Sequence, residues 1–405
     1  MNKEESLALL AQGKEAWNEW AQRILAERAE LEATGLWEAI EGAVDIEAQN
    51  LQTHDWLQDS HVNFRGHVFE DVTFDGFVFP GYTDFFNAKF SKGVDFNNAL
   101  FKAKVVFTRA TFMDFTDFSN STFMKAVEFS LAVFEGPISF QHIFFHGYAS
   151  FVSVQGKSLF LMTSVKFQTL PYFLQAQFHE APILEDLRFF MGSKIVHEEG
   201  EAVLWRALKR LAIQAHNHEA EQFYFAEEIK SYRGTTDAIL PDTDNLLVNK
   251  PLWPGGGRYW AGLFYEVFSD FGRSIIRPLI WWIVVMVAAA TYYNASSANI
   301  DRVSSYNQST ANATAPSARG NIAFQVDDCH KEKAAVYLAI HNGLVFSGLG
   351  QSKKLDKSYA CLYGDEKNGP VMPDAAVYVG LIQTLLSAIF IFLLLLAVRN
   401  LFRIK

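Results

Sequence analysis

The sequence lacks the motifs that mark most enzymes, and only two of its 405 residues are cysteine. It contains no P-loop, no dinucleotide-binding fingerprint, no nucleophile elbow and no HExxH motif. We therefore expect neither catalysis nor a bound cofactor or metal. The formal net charge of −10 is compatible with a soluble body and says little about partners.

Phenylalanine is abundant instead, and it recurs with an eleven-residue period through the middle of the chain. Steps of five and six residues alternate along two interleaved series. Two residues before many of these phenylalanines lies a small or apolar residue, such as Ala88 or Val94. One series is Phe79, Phe90, Phe101, Phe112, Phe123, Phe134 and Phe145, and the other is Phe85, Phe96, Phe107, Phe118, Phe129, Phe140 and Phe151.

This period excludes an α-helix and an alternating strand, because neither returns a side chain to the same face every five or six residues. A solenoid can do so. If each unit forms one side of a four-sided coil, about 21 or 22 residues complete a turn and each phenylalanine stacks on one from the next coil. Residues 64–189 would then supply about six coils. The weaker end of the pattern has Gly156 where a phenylalanine is expected.

The pattern resembles the pentapeptide-repeat family, in which a central Leu or Phe and a small residue two places earlier point into a right-handed quadrilateral β-helix. The resemblance implies helical caps at the ends of the solenoid, and the stretch Leu7 to Glu32 is similar to the helical lead-in of some members. Acidic members imitate DNA to bind a topoisomerase. Residues 61–190 here hold 12 Asp and Glu against 10 Lys and Arg, so we expect no such mimicry and no nucleic-acid partner.

Two apolar segments, residues 275–293 and 375–398, are long enough to cross a bilayer, which needs about 20 residues, and Arg277 near the start of the first is their one charged residue. Basic residues flank the N-terminal end of the first and the C-terminal end of the second, which predicts that both ends are cytoplasmic. The opening MNKEESLALL does not resemble a cleavable signal peptide. These residues are Arg273 before the first segment and Arg277 at its start, and Arg399, Arg403 and Lys405 after the second.

These features predict a multi-pass protein of the bacterial inner (plasma) membrane with both termini in the cytoplasm. The solenoid lies in the cytoplasm, and residues 294–374 form a periplasmic or extracellular loop. The predicted divisions are a helical cap (1–45), a β-helix (46–192), a helical connector and linker (193–258), an interfacial amphipathic helix (259–274), the transmembrane helices (275–293 and 375–398) and a basic tail (399–405).

Both cysteines, Cys329 and Cys361, fall in the external loop. A pair of cysteines confined to an oxidising compartment favours a disulfide over a metal site.

The same loop contains an apolar segment, residues 334–351, that is too short to span a membrane and ends in a glycine-rich turn. Its position between two spanning helices resembles the pore helix and filter loop of two-helix pore-loop ion channels. A TVGYG-type filter is absent, so the sequence does not support potassium selectivity. An amphipathic helix lying on the outer leaflet fits the segment equally well. The pore or filter candidates are His341, Asn342, Gly343, Ser347, Gly348, Leu349, Gly350 and Gln351.

A polar stripe runs along one face of the second transmembrane segment. Such a stripe must face protein or water within a membrane. It either lines a conduit or bonds one helix to another, and in both cases it predicts self-association. The pore-lining candidates are Gly380, Gln383, Thr384 and Ser387.

The leading functional hypothesis is a homo-oligomeric ion channel, a tetramer if the pore-loop layout holds, that conducts inorganic ions. The cytoplasmic solenoid would then act as an assembly or gating platform. The alternative is a membrane-anchored scaffold in which the solenoid binds a protein partner and nothing is conducted.

Overall fold

The structure is a computed structural model, and it describes residues 1–41, 46–190, 200–232, 235–239, 247–251, 257–297, 330–344, 352–363 and 373–403. The chain forms two compact units, Met1–Pro254 and Gly255–Lys405. Each unit has its own hydrophobic core.

The N-terminal region contains three helices, and the helical stretch expected over Leu7 to Glu32 is divided between the first two. A turn interrupts that range at Gly13, whose φ of 94° is a conformation that other residues disfavour. Asn2 and Asn50 begin the first and third helices, and the side chain of each accepts a backbone N–H bond. The elements are α1 (Lys3–Leu10), α2 (Lys14–Ala33), β1 (Ala39–Glu41), β2 (Ile46–Ala48) and α3 (Leu51–Ser60).

A β-solenoid of about six turns follows, which confirms the fold expected from the phenylalanine period. Its short strands form four parallel sheets. Pairing partners are 21 residues apart for the first two strands, as in Val68 with Lys89, and 22 apart from Val72 onward, as in Val105 with Val127. The chain therefore completes one turn in the number of residues that the sequence predicts.

Each sheet takes one strand from nearly every coil. The first sheet contains β3 (Val62–Asn63), β7 (Thr83–Asp84), β11 (Val105–Val106), β15 (Val127–Glu128) and β19 (Ala149–Ser150). The second contains β4 (Val68–Phe69), β8 (Lys89–Phe90), β12 (Thr111–Phe112), β16 (Val133–Phe134), β20 (Gln155–Gly156) and β23 (Gln177–Phe178). The third contains β5 (Val72–Thr73), β9 (Val94–Asp95), β13 (Thr116–Asp117), β17 (Ile138–Gln141), β21 (Phe160–Thr163) and β24 (Ile183–Glu185). The fourth contains β6 (Val78–Phe79), β10 (Leu100–Phe101), β14 (Thr122–Phe123), β18 (Phe144–Phe145), β22 (Lys166–Phe167) and β25 (Arg188–Phe189).

The core of the solenoid consists of stacked phenylalanine rings, as the sequence predicts. In the fourth sheet the rings of Phe79 and Phe101 have centroids 4.6 Å apart, and those of Phe101 and Phe123 are 4.9 Å apart. Each pair is nearly parallel, which is the arrangement that places one coil directly above the next. Ala88 and Val94, two residues before a phenylalanine, are buried between the stacks.

The steps of five residues differ from the steps of six in their backbone conformation, and the residue types do not indicate this difference. Every five-residue step from Phe85 onward contains one residue with positive φ, two places after the buried residue that begins the step, and these residues recur every eleven positions. In the first such turn the N–H of Ala88 donates to the carbonyl of Phe85 at 3.0 Å. A positive φ at the third residue is what a type II turn requires. The residues are Asn87, Asn98, Arg109, Asn120, Leu131, His142, Ser153, Ser164, Gln175 and Asp186.

Gly156 interrupts the phenylalanine stack of the second sheet. A Cβ at this position would lie only 2.6 Å from the ring of Phe178, which occupies the space. Phe160 also packs there, with its centroid 4.6 Å from that of Phe178. Glycine therefore replaces a phenylalanine at this point because two rings from neighbouring strands fill the core.

Helices cover both ends of the solenoid. At the first coil, the Trp17 indole of α2 packs on Phe64 and donates to the carbonyl of Val78. At the last coil, Trp205 packs on Phe189, with centroids 5.3 Å apart. The covering helices there are α4 (Glu201–Gln214) and α5 (His218–Tyr232), and an antiparallel pair follows, β26 (Thr235–Ile239) and β27 (Leu247–Pro251).

The second unit is helical. Two of its helices, Ile276–Ala295 and Asp374–Phe402, are long and apolar enough to cross a membrane. The last helix extends into the segment that the sequence suggests as a basic tail. The helices are α6 (Gly257–Ser269), α7 (Ile276–Ala295), α8 (Lys331–Gly343), α9 (Ser352–Tyr363) and α10 (Asp374–Arg403).

Candidate functional site

The candidate site is a polar cluster inside the second unit, where α7, α8 and α10 meet. Positions three and four apart share one face of a helix, and this spacing places the polar stripe of α10 on a single side. That side faces the other helices, because Gln383 is 2% exposed whereas the neighbouring Leu385 is 66% exposed. The stripe is therefore covered by protein of the same chain.

Gln383 is the centre of the cluster. Its Nε2 donates to the carbonyl of Ala339 in α8 at 2.7 Å, and its Oε1 accepts from the hydroxyl of Tyr293 in α7 at 3.0 Å. The Tyr293 hydroxyl in turn accepts from Nδ2 of Asn342 at 3.1 Å. One amide side chain thus joins all three helices, and the hydrogen-bonding capacity of the buried groups is used within the cluster.

Thr384 and Gly380 extend the cluster along α10. The hydroxyl of Thr384 lies 3.1 Å from the carbonyl of Asn342 and 2.9 Å from that of Gly380. A Cβ on Gly380 would lie 3.4 Å from both Asn342 and Tyr293, which is ordinary van der Waals contact. Ser387, one turn further on, is fully buried, and its hydroxyl has no hydrogen-bond partner among the described residues.

The C-terminal end of α8 packs tightly against the middle of α7. A Cβ on Gly343 would overlap the thioether of Met286, so only glycine allows this approach without displacing that side chain. The indole of Trp282 donates to the carbonyl of Gly343 at 3.3 Å. Since Met286 lies nine residues before Ala295, the end of α8 reaches about 14 Å along α7, close to half of its length.

The structure brings together two groups of residues that the sequence predicts separately. Asn342 and Gly343 of the expected pore segment contact the expected polar stripe of α10. His341 lies in the last turn of α8. The other expected filter residues lie outside the described residues: Ser347, Gly348, Leu349, Gly350 and Gln351.

Sequence reasoning missed three members of the cluster, Trp282, Met286 and Tyr293, all on α7. In the sequence they belong to an apolar run, and their spacing of four and seven residues is that of one helix face. That spacing, together with the need of a buried glutamine for a partner, is the signal that could have identified them.

The structure describes one of the two cysteines of the expected disulfide. Cys361 is buried on α9, next to α8. Cys329, its expected partner, lies outside the described residues, so the bridge stays a prediction.

The surface of the solenoid contains a second feature of interest, a groove of about 350 Å³ over β13 and β17. It is lined by polar side chains, including Asp117 and Gln141, and by Phe115, which is 49% exposed. Asp117 pairs in register with Asp95 of the preceding coil. Burial, together with the neighbouring carboxylates of Asp117 and Asp75, raises the pKa of Asp95.

No protein-family model, curated protein or solved structure matches this chain. Within the described residues there is no group of three His, Cys, Asp or Glu side chains that could hold a metal ion. The polar cluster and the solenoid surface are therefore the features of the molecule that bear on its function.

Proposed function

We propose that the protein is an oligomeric membrane channel for inorganic ions, with a cytoplasmic pentapeptide-repeat solenoid as its assembly or gating platform. In this proposal α7 and α10 span the membrane, and the solenoid is a right-handed quadrilateral β-helix. The basic residues Arg273, Arg277 and Arg399 support a cytoplasmic position for the start of α7 and the end of α10 in this proposal.

The observation that carries the proposal is the depth reached by α8. If α7 crosses the bilayer, the contact of Gly343 with Met286 lies near the middle of the hydrocarbon layer, which is about 30 Å thick. A helix on the outer leaflet would contact only the outer turns of α7. This packing supports a re-entrant helix, and non-helical backbone at such depth is tolerated only within protein or beside water.

The direction of α8 favours cations over anions. The carbonyl end of a helix carries a partial negative charge, and α8 ends at Gly343 in the proposed mid-membrane position. Thr384 and Trp282 bond two of its last carbonyls and fix their orientation. The filter itself would follow from residue 344 onward, in the segment that the sequence suggests.

In this proposal the conduit, and not the polar stripe, is what requires several copies of the chain. Because Gln383 and Thr384 find their partners within one chain, the stripe does not require a second copy. A conduit lined by re-entrant segments would instead lie between copies, around a symmetry axis, as a tetramer of this two-helix layout would provide.

The test is single-channel recording of the purified full-length protein in planar bilayers. Gly343→Val should abolish current, because the side chain would displace Met286 and press on Gln383. Gly380→Ala is the matched control, since its Cβ fits at ordinary contact distance. Gly348→Val should also abolish current if the loop after α8 is the filter.

A second candidate function, a membrane-anchored scaffold, is favoured by the groove that contains the exposed Phe115. In that case a protein partner would bind the solenoid, and the second unit would serve only as an anchor. Discrete currents that Gly343→Val abolishes and Gly380→Ala preserves would establish the channel. Well-folded oligomers that pass no current over a range of voltages and pH values would overturn it and favour the scaffold.

A further inference from the structure

The connection between α6 and α7 has an unusual backbone. Three consecutive residues have positive φ: Asp270 at 50°, Phe271 at 55° and Gly272 at 78°. We call these three residues the left-handed corner. This conformation is unfavourable for L-residues, and a bulky residue such as phenylalanine rarely adopts it. A strained segment of this kind persists only where its surroundings hold it in place.

Contacts from α6 and from the start of the next segment hold the left-handed corner. Phe271 is only 2% exposed, and its ring packs edge-on against that of Tyr265 at 5.5 Å. The N–H of Gly272 donates to the hydroxyl of Ser269 at 3.2 Å. Arg273 donates to the carboxylate of Asp270 at 2.8 Å. The corner is thus fixed by one buried ring, one hydroxyl and one ion pair.

The left-handed corner also contacts the end of α10. Nδ2 of Asn400 donates to the carbonyl of Gly272 at 3.2 Å, across 128 residues of sequence. A Cβ on Gly272 would lie 3.1 Å from both Asn400 and the Tyr265 hydroxyl, and 3.4 Å from Leu396. Glycine is therefore needed twice, for its positive φ and for the close approach of α10.

The contact between the left-handed corner and Asn400 lies far along α10 from the Gln383 cluster. The Gln383 cluster fixes α10 in its first half, and Asn400 lies 17 residues further along, or about 25 Å. Between these two points, near the middle of α10, Phe390 packs on Phe268 of α6, with centroids 5.4 Å apart. Since α6 is the first element of the second unit, the chain from the solenoid enters that unit through the helix that holds the end of α10.

We propose that the left-handed corner is a latch that couples α6 to the terminal turns of α10 and thereby sets the open probability of the channel. This inference rests on the proposed function. While Asn400 is bonded to Gly272, the last turns of α10 move together with α6. When the Asn400 bond is lost or the corner relaxes to an ordinary backbone conformation, those turns move about the Gln383 cluster independently. Hinge segments of a few residues that absorb large changes in φ and ψ are a common basis of such coupling.

Two variants release the latch in different ways. Asn400→Ala removes the hydrogen bond and leaves the backbone of the corner intact. Gly272→Ala introduces a Cβ at a positive φ and at 3.1 Å from Asn400. Leu401→Ala, next to Asn400 but on the exposed side of α10, is the matched control. Agreement between two chemically different variants excludes an effect peculiar to either one.

The first measurement is hydrogen–deuterium exchange of the full-length protein in lipid nanodiscs, which does not depend on conduction. Loss of one hydrogen bond shifts a local opening equilibrium about fivefold. We expect both variants to accelerate exchange at residues 268–274 and 396–402 together by at least about fivefold, with residues 380–387 unchanged. Acceleration at only one of these two segments, or at neither, would overturn the latch.

The second measurement is single-channel recording of the same variants. We expect the open probability to change about fivefold or more while the unitary conductance stays at the wild-type value. If the wild type conducts and both variants keep its open probability, the latch is wrong and the channel stands. If the wild type is silent while the two segments loosen together, the coupling of α6 to α10 stands and the channel is wrong.

Discussion

The hydroxyl of Tyr293 donates to Oε1 of Gln383 at 3.0 Å, although the two residues are 90 positions apart in the chain. This bond joins the two apolar helices of the second unit, and the same glutamine also bonds α8 through Ala339. In an apolar environment few other partners are available to these groups. The cluster is therefore a structural element as well as a candidate site.

Replacing Gln383 with leucine should destabilise the second unit while preserving its volume. The change removes the bonds to Tyr293 and Ala339, and we expect a loss of about 1 kcal/mol, the scale measured for buried polar contacts between membrane helices. Unfolding in detergent, followed by circular dichroism, provides the measurement. Leu385→Ala, on the exposed face, is the control, and a leucine variant at least as stable as wild type would show that the cluster does not stabilise the unit.

The positive-φ positions of the solenoid should be sensitive to β-branched residues. Asn87 is exposed and has a φ of 56°, so Asn87→Val should lower the free energy of unfolding by about 1–2 kcal/mol. Lys89→Val, at an exposed strand position two residues later, should be neutral or stabilising. Thermal unfolding of the full-length variants compares the two, and equal melting temperatures would contradict the assigned backbone.

The same reasoning predicts a stabilising substitution. Leu131 has a φ of 61° in an equivalent turn, and asparagine tolerates this region better than leucine. We expect Leu131→Asn to raise the free energy of unfolding by several tenths of a kcal/mol, and the effect should reverse in sign with Leu131→Val. The pair of variants is best measured by urea denaturation under one set of conditions.

Asp95 should make the solenoid less stable as its carboxyl ionises. Burial and the neighbouring Asp117 raise the pKa of Asp95, so the folded state holds the proton more tightly than the unfolded state. This contribution to stability is present below the ordinary value of 3.8 and is lost as pH rises through the raised pKa. Asp95→Asn keeps an oxygen acceptor for the N–H of Asn97, which lies 2.7 Å away.

We therefore expect Asp95→Asn to stabilise the protein at pH 7 by a few tenths of a kcal/mol, the scale of like charges on paired strands. The difference from wild type should shrink as pH falls through the raised pKa of Asp95 and should be smallest below about 4. Unfolding midpoints at pH 7, 5 and 3.5 provide the test. A benefit that is constant over this range would show that repulsion is not its cause.

The loop cysteines should form a disulfide. Peptide mapping without reduction should recover Cys329 and Cys361 in one cross-linked peptide, and reduction should lower the free energy of unfolding by about 3 kcal/mol. Two separately alkylated peptides from unreduced protein would contradict the bridge. Since Cys361 is buried, alkylation should be performed after denaturation.

The sequence predicts the solenoid well because its core repeats. Each phenylalanine occupies the same kind of position in the core. Two periods of eleven residues therefore give the length of one coil, and the series shows that every ring points inward. The residues with positive φ repeat just as strictly, yet they include Asn, Arg, Leu, His and Ser. Their position is imposed by the stacked coils above and below, and no residue type marks it.

The candidate site was predictable only in parts. The stripe at Gly380, Gln383 and Thr384 and the short helix ending near Gly343 are visible as local patterns. The contact between them is not, because side chains that are 40 to 90 residues apart become neighbours only after the helices pack. Tyr293 was overlooked because a tyrosine at the end of an apolar run usually marks a membrane interface.

The helices over the solenoid ends have a consequence for how the protein behaves in a crowded cell. Gln214 and Asn217 bond the outward carbonyls of Phe178 and Leu184, and Asn18 bonds the backbone of Val78 at the opposite end. An exposed sheet edge would offer these groups to any extended chain and could seed fibrils. Because side chains of its own helices bond these groups at both ends, the groups are not available to pair with the solenoid of a neighbouring molecule. Proteolysis within α4 would remove that protection and convert a self-limited fold into a template for aggregation.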